Sequence, residues 1–244
     1  MTPDDLARRF GRHELGAGNG DDGPNLSEVL STGHAADGFT GPELFSEDEL
    51  AQVADGGPFR ARARLIGRMR VVFEGLRHRL ARHLEAGRYL APANADWRHG
   101  RIGRGEYLGD MPYTYLDIPR HFEAESAFTF RTLFWWGHGV SFSLILGGQH
   151  LQEYRARLVR NLAVLSALEV HIAAGESPWD WERGPGHTLR LATGQESELL
   201  RLFRTQTFLK CARFLDFDDP EFRRSRIEDA ALLTFQALEP IILA

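Results

Sequence analysis

Large apolar residues occupy most of the alternate positions between Phe128 and Leu146. The large apolar residues of one parity are Phe128, Phe130, Phe134, Trp136, Val140, Phe142, Leu144 and Leu146. This period of two predicts β-strands. Glycine adopts the positive φ angles that tight turns require, so the simplest prediction is a hairpin that turns at Gly137 and Gly139. A single long strand with a bulge at these glycines is the alternative.

A different period marks the segment 59–86. Its apolar positions recur every three or four residues, at Leu65, Met69, Val72, Phe73, Leu76, Leu80 and Leu84. Arginines occupy the other side, at Arg60, Arg64, Arg68, Arg79 and Arg82. This pattern predicts an amphipathic helix, which Gly87 is placed to end.

Shorter signals predict the remaining elements. Ser46 and Glu49 have the spacing of a capping box ahead of a short helix. Residues 88–110 have the pattern of short extended pieces and turns, and residues 113–118 alternate like a strand. Helical spacing predicts helices over 150–174, 196–214 and 219–238, with a short strand at 188–191.

Helices at both ends of the chain, with strands clustered in the middle, predict an α+β fold. We expect a central antiparallel sheet rich in aromatic residues, with helices before and after it. Residues 11–42 are rich in Gly, Asp and Asn, which is typical of a linker. The predicted organisation is an acidic, Gly/Asp-rich N-terminal extension over residues 1–43 and one α+β domain over residues 44–244.

Composition narrows the class of protein. The 244 residues are 43% hydrophobic, enough for a well-buried core, and the net charge of −5 gives no bias towards nucleic acid. The single cysteine, Cys211, excludes an intramolecular disulfide and a multi-cysteine metal site. The chain lacks the features of a signal peptide and any apolar run near the ~20 residues of a membrane span, so we expect a cytoplasmic protein. Lys210 is the one lysine among 29 basic residues, a bias that indicates a GC-rich genome.

Charge is distributed unevenly along the chain. Residues 1–55 carry twelve acidic side chains against three arginines, whereas residues 59–88 carry nine arginines against two glutamates. One interpretation is that the two segments lie near each other. The other is that the basic segment binds an anionic partner and the acidic segment shields it.

Polar and aromatic side chains collect before and within the predicted hairpin. Residues at i, i+2 and i+4 of a strand share a face, so Tyr113, Tyr115 and Asp117 point the same way. The predicted ligand-binding set also includes Arg120, Arg131 and Trp135. Together these residues could line a pocket for an anionic or amide-bearing ligand. The alternative is a solvated strand face on which Arg and Asp side chains pair locally.

His138 is the candidate catalytic residue. It lies at the predicted turn beside two tryptophans, and turns carry functional side chains more often than strand interiors do. A partly desolvated imidazole can act as an acid, a base or a ligand. The alternative is a structural histidine whose ring packs on Trp and bonds to the backbone. The sequence contains no motif typical of a metal site or a P-loop, so it predicts no metal and identifies no cofactor.

A set of short motifs follows one order along the chain. Phe45-Ser-Glu-Asp-Glu-Leu50 comes first, then Arg68-Met69, then Trp97 ten residues before Tyr107, which follows Arg104-Gly105. The later motifs are Phe130, Trp135, His138 and Phe142, then Leu199 to Phe203, Lys210, and Leu238 to Pro240. Over residues 45–240 this order resembles the YktB-like family of uncharacterised bacterial proteins. The chain departs from that pattern in extra residues at about 108–126 and in the glycines beside His138. The resemblance implies the α+β fold and no particular activity.

These features predict a soluble protein that binds a small molecule at a polar and aromatic pocket near the hairpin, with catalysis there left open. The alternative is an interaction module that holds a protein or nucleic acid on the Arg-rich face of helix 59–86. The acidic net charge makes nucleic acid the less expected partner. The sequence carries no signal for the oligomeric state.

Overall fold

The computed structural model of the protein describes residues 45–85, 87–124 and 126–244. Contacts divide the chain into two compact units, one that ends at Leu65 and one that spans Ile66–Ala244. The predicted extension over residues 1–43 and the linker over 11–42 lie outside the described residues, so both stay predictions.

Within the described residues, two helices precede the sheet. Helix α1 spans Glu47–Ala54 and begins with the predicted capping box. The backbone N–H of Glu49 donates to Ser46 Oγ, and the backbone N–H of Ser46 donates to Glu49 Oε2 at 2.7 Å. Helix α2 spans Gly57–His83, three residues shorter at its C-terminus than predicted.

The second half of α2 confirms the predicted apolar stripe. Its buried side chains are Met69, Phe73, Leu76 and Leu80. These positions lie on one side of a helix with 3.6 residues per turn, which turns that side towards the core. Leu84, just beyond the helix end, is buried as well.

A seven-stranded antiparallel sheet forms the centre of the second unit, as far as the chain is described. Its strands are β1 Arg101–Leu108, β2 Met111–Glu123, β3 Ser126–Trp135, β4 Gly139–Gly147, β5 His171–Ala173, β6 Thr188–Arg190 and β7 Phe208–Leu215. The order across the sheet is β1-β2-β3-β4-β7-β5-β6. Strands β3 and β4 pair from Phe128 with Leu146 to Trp135 with Gly139, which confirms the predicted hairpin.

Helices also follow the central strands. They are α3 Leu151–Arg160, α4 Leu162–Ala167, α5 Glu196–Leu202, α6 Pro220–Arg223 and α7 Ile227–Leu238, with a 3-10 turn at Glu239–Ile241. Helices therefore precede and follow an antiparallel sheet, and the predicted α+β fold is confirmed. In the part of the chain that the structure covers, no helix is both long and apolar enough to cross a membrane.

The two faces of the sheet differ in their side chains. One face carries Phe128, Phe130 and Phe142, which are fully buried in the main hydrophobic core together with Tyr154 of α3 and Phe235 of α7. The other face carries a smaller apolar cluster and the polar side chains of the candidate site. That cluster consists of Tyr115, Ala127, Leu133, Trp135, Ile145 and Trp181. The alternation along the hairpin therefore separated the two faces correctly.

Three predicted helices are partly wrong. The helix predicted over 219–238 is divided into α6 and α7. The helix predicted over 150–174 ends at Ala167, and His171–Ala173 form β5. The helix predicted over 196–214 ends at Leu202, and Phe208–Leu215 form β7 between β4 and β5. A short apolar run fits a buried helix and a buried strand equally well, and here pairing with β4 along eight residues selects the strand.

Candidate functional site

A row of side chains crosses the sheet on the face opposite the main core. The register aligns Asp117 of β2 with Arg131 of β3, Arg131 with Ser143 of β4, and Ser143 with Ala212 of β7. Ala212 in turn is aligned with His171 of β5. Directly opposed residues point to the same face, so five strands contribute to one row. This row contains Asp117 and Arg131, which the sequence predicted as ligand-binding residues.

Asp117 and Arg131 form a buried ion pair. Arg131 Nε donates to Asp117 Oδ1 and Arg131 Nη2 donates to Asp117 Oδ2, both at 2.7 Å. The side chains are 1% and 4% exposed, so the pair lies in the interior. A bidentate arginine–carboxylate pair has a fixed geometry. The two residues do pair locally, as the alternative interpretation held, but inside the protein rather than on a solvated strand face.

The segment 174–187, which we call the strap, connects β5 to β6 and covers this row. Its two tryptophans, Trp179 and Trp181, lie near the guanidinium of Arg131, whose central carbon is 5.1 Å and 5.4 Å from the two ring centres. The same carbon lies 4.3 Å from the ring centre of Tyr115. Arg131 is therefore surrounded by three aromatic rings and a carboxylate.

Lys210, on β7, is the second buried cation of this face. It is 3% exposed, and its Nζ donates to the carbonyl oxygen of Asp180 at 2.6 Å. The Nζ also lies 3.5 Å from the centre of the Trp181 ring. Burial lowers the pKa of Lys210 well below its usual value; the charge of Arg131 lowers this pKa further, whereas that of Asp180 raises it.

Lys210 was not among the predicted site residues, because its segment was predicted to be helical. The available signal was the position of the one lysine within the apolar run Phe208–Leu215. Charged residues are rarely buried unless paired, so a lone lysine in such a run marks a special environment.

A cavity of about 180 Å³ lies beside this row. Its lining residues are Leu133, Trp135, His138, Gly139, Val140, Ser141, Trp181, Glu182, Arg183, Phe214 and Asp216. The rings of Trp135 and His138 stack in parallel, with their centres 3.4 Å apart and their planes at 5°. His138 is exposed at the hairpin turn, whereas Trp135 is buried and donates its Nε1–H to the carbonyl of Leu108 at 2.7 Å.

Two buried hydroxyls follow one another along β4. Within the described ranges, Ser141 Oγ and Ser143 Oγ have no hydrogen-bond partner. A buried polar group without a partner costs about 1–3 kcal/mol of stability. Thr114 and Thr132 share this property. Ser141 differs from those two threonines because it lines the cavity, where a bound molecule can satisfy its hydroxyl.

Of the predicted site residues, Trp135 and His138 line the cavity. Tyr113 and Tyr115 lie on the same face, with stacked rings whose centres are 6.2 Å apart. The ring of Tyr115 lies so close to Gly103 of β1 that a Cβ there would come within 2.4 Å of it. The two tyrosines therefore have a packing role in the structure, while Asp117 and Arg131 lie deeper, beneath the strap.

Arg120 is displaced from the other predicted residues. A register shift between Asp117 and Arg120 interrupts the pairing of β2 with β3, and Arg120 pairs with Thr129 after it. Its guanidinium lies over the ring of Phe122, at 5.3 Å. The structure does not place Arg120 at the cavity.

The Arg-rich face of α2 is partly engaged within the second unit. Arg79 Nη1 lies 2.8 Å from Asp229 Oδ1 and 3.5 Å from Glu228 Oε2, both on α7. At least one of the five arginines of the predicted face therefore serves helix packing. Among the described residues, no group of three or more His, Cys, Asp or Glu side chains could hold a metal ion.

No protein-family model, curated protein or solved structure matches this chain. The resemblance to the YktB-like family therefore stays a prediction. The site must be interpreted from its own geometry and chemistry.

Proposed function

We propose that this protein binds a compact organic molecule with a single ring in the cavity beside Trp135, His138 and Trp181. The observation that carries the proposal is the unpartnered hydroxyl of Ser141 in the lining of a cavity with aromatic walls. Binding sites for small molecules combine apolar walls with a few polar groups that fix orientation.

The volume of the cavity limits the size of the ligand. Sites for drug-sized molecules measure roughly 300–1,000 Å³, whereas a cavity of about 150 Å³ holds benzene. At about 180 Å³, this cavity suits one ring with a small polar substituent and is too small for a nucleotide. Trp135 and Trp181 offer ring surfaces for stacking or edge contacts.

The exposed ring of His138 contributes to the proposed binding site. Its stack on Trp135 fixes its orientation in the lining of the cavity, where a bound ligand can contact it. Asn keeps a polar group but loses the stacked ring. We therefore expect His138→Asn to weaken ligand binding while the fold is retained.

Thermal-shift and tryptophan-fluorescence titrations with benzyl alcohol, benzamide, benzoate and benzylamine test the proposal. At least one of these probes should bind saturably to the wild-type protein. Ser141→Ile, which fills the cavity with a side chain suited to a strand, should abolish that binding. His138→Asn should weaken it severalfold, and His78→Asn, an exposed histidine of α2, serves as the matched control. Equal binding by the wild type and the Ser141→Ile variant would show that the ligand lies elsewhere.

A further inference from the structure

The buried charges near the cavity indicate which chemical class of ligand the cavity binds. We propose that the ligand is an organic monocarboxylate, whose acid group accepts a hydrogen bond from Ser141 and is attracted by the buried cations Lys210 and Arg131 beside Trp181. This inference rests on the proposed function and adds the chemical class of the ligand to it.

Trp181 contacts both the cavity and the buried cations. It lines the cavity, and its ring centre lies 3.5 Å from Lys210 Nζ and 5.4 Å from the central guanidinium carbon of Arg131. Both charges therefore lie within about 6 Å of the centre of a ring that lines the cavity. Charges in a protein interior are screened far less than charges in water.

One of these two cations lacks a carboxylate partner at hydrogen-bonding distance among the described residues. Arg131 is compensated by Asp117. The contacts of Lys210 are the carbonyl oxygen of Asp180 and the Trp181 ring, whereas the Asp180 carboxylate pairs with His187 Nδ1 at 2.7 Å. When Lys210 is protonated, the buried charge near the cavity is therefore positive.

The charged side chains at the rim of the cavity are exposed and sum to −1, because Glu182 adds to the paired Arg183 and Asp216. Arg183 Nη2 lies 3.2 Å and 3.1 Å from the two carboxylate oxygens of Asp216, in an ion pair whose side chains are about half exposed. Glu182 is exposed to solvent. Solvent and salt screen such charges strongly, so the buried cation decides the preference for the sign of a ligand's charge.

The hydroxyl groups that β4 contributes to this face can also bind a carboxylate. Ser141 and Ser143 are two residues apart on β4 and face the same side, and Ser143 is aligned with Arg131. Two unpartnered hydroxyls therefore lie on this face, that of Ser141 at the cavity and that of Ser143 beside Arg131. A hydroxyl donates one hydrogen bond, and an ionised carboxylate only accepts hydrogen bonds, so the two groups are complementary.

The identity of residue 210 supports this role. The other 28 basic residues of the chain are arginines, yet the buried position beside Trp181 holds the one lysine. An ammonium is a compact point charge, whereas a guanidinium is a broad planar group that needs more space and more acceptors. An ammonium group is therefore small enough to fit between the Trp181 ring and the carbonyl oxygen of Asp180.

Matched probes of similar shape and different charge test the inference. Benzoate should bind the wild-type protein at least tenfold more tightly than benzyl alcohol, and benzylamine should bind more weakly than either. Lys210→Met keeps the length of the side chain without its charge and should reduce the preference for benzoate to about twofold or less, while benzyl alcohol still binds. Arg201→Met removes an exposed cation of α5 that does not line the cavity and should leave the preference unchanged.

A second readout uses the one lysine directly. In protein labelled with ¹³C-lysine, the side chain of Lys210 gives a single resonance set, which benzoate should shift with the same midpoint as its fluorescence titration. Equal affinities for benzoate and benzyl alcohol, or an unmoved lysine resonance at saturating benzoate, would overturn the inference while the proposed function stands. Failure of all four probes to bind would overturn the proposed function itself.

Discussion

Lys210 Nζ lies 3.5 Å from the centre of the Trp181 ring, beneath the strap that joins β5 to β6. The contact links the central strand β7 to a loop that is distant in sequence, and it covers a charge with an aromatic surface. A cation over a tryptophan face gains electrostatic attraction from the ring. That attraction offsets part of the cost of removing the ammonium from water, which is the largest influence on the pKa of Lys210.

The first prediction is that Lys210 titrates well below the usual pKa of a lysine, 10.5. Burial disfavours the charged form, and the positive charge of Arg131 acts in the same direction. A pH titration of protein labelled with ¹³C-lysine would measure this pKa without assignment, because the chain has one lysine. A midpoint at or above 10.5 would contradict the burial of the ammonium.

The same depressed pKa predicts how stability depends on pH. Between the folded-state pKa of Lys210 and 10.5, the unfolded chain binds one more proton at this site than the folded protein does. The free energy of unfolding therefore increases with pH across that window. Lys210→Met should remove this slope, because the variant has no titratable group at position 210. Urea denaturation at several pH values, with Arg183→Met as the control that keeps the slope, would check this.

Breaking the buried ion pair should be costly. Arg131→Met leaves the Asp117 carboxylate buried without this guanidinium, and Asp117→Leu leaves the Arg131 guanidinium buried without this carboxylate. Each change should therefore destabilise the protein by about 3–5 kcal/mol. The double variant leaves no lone charge and should cost much less than the sum of the two. A double-mutant cycle by denaturant unfolding measures this coupling. Additive losses would mean that the pair contributes little as a pair.

The aromatic side chains in the core of the hairpin test the assignment of the two faces of the sheet. Phe130 and Phe142 are fully buried on the face that the helices cover. Phe130→Ala or Phe142→Ala should each cost about 3–5 kcal/mol, the usual range for a buried phenylalanine. Phe59→Ala is the matched control, because Phe59 is 62% exposed, and it should change stability by no more than about 0.5 kcal/mol. A near-neutral result at Phe130 would reverse the assignment of the two faces.

The sequence predicted the hairpin and its two faces because the alternation there is long and has few exceptions. Every second residue from Phe128 to Leu146 is large and apolar except Thr132 and the turn residue His138. Such a pattern stabilises β-strands, because alternate side chains of a strand point to the same face. The same pattern placed Arg131 and Trp135 on one face of the first strand, and Ser141 and Ser143 on one face of the second. Pairing then follows from the short turn, which leaves β3 and β4 adjacent.

The rest of the site could not be predicted, because it depends on contacts between distant segments. Lys210 and Trp181 are 29 positions apart, and nothing in the local pattern of either indicates the other. Strand β7 was assigned to a helix because a fully buried strand lacks the alternation that identifies one. Its insertion between β4 and β5 is what brings Lys210 to the face of Arg131.

The last prediction concerns the strap. Trp181 contacts Lys210, whereas Trp179 contacts Phe122 and the guanidinium of Arg131. If the strap keeps water from Lys210, Trp181→Ala should admit water and raise the pKa of the lysine towards 10.5. The loss of the ring's attraction for the cation acts in the opposite direction, but burial is the largest influence on this pKa, so its relief should dominate.

Trp179→Ala is the matched control: it removes a ring of the same size from the strap and should leave the pKa of Lys210 nearly unchanged. The titration of the single lysine resonance in both variants gives the answer. Equal pKa values in Trp181→Ala and the wild type would mean that the sheet itself, and not the strap, keeps the ammonium from water.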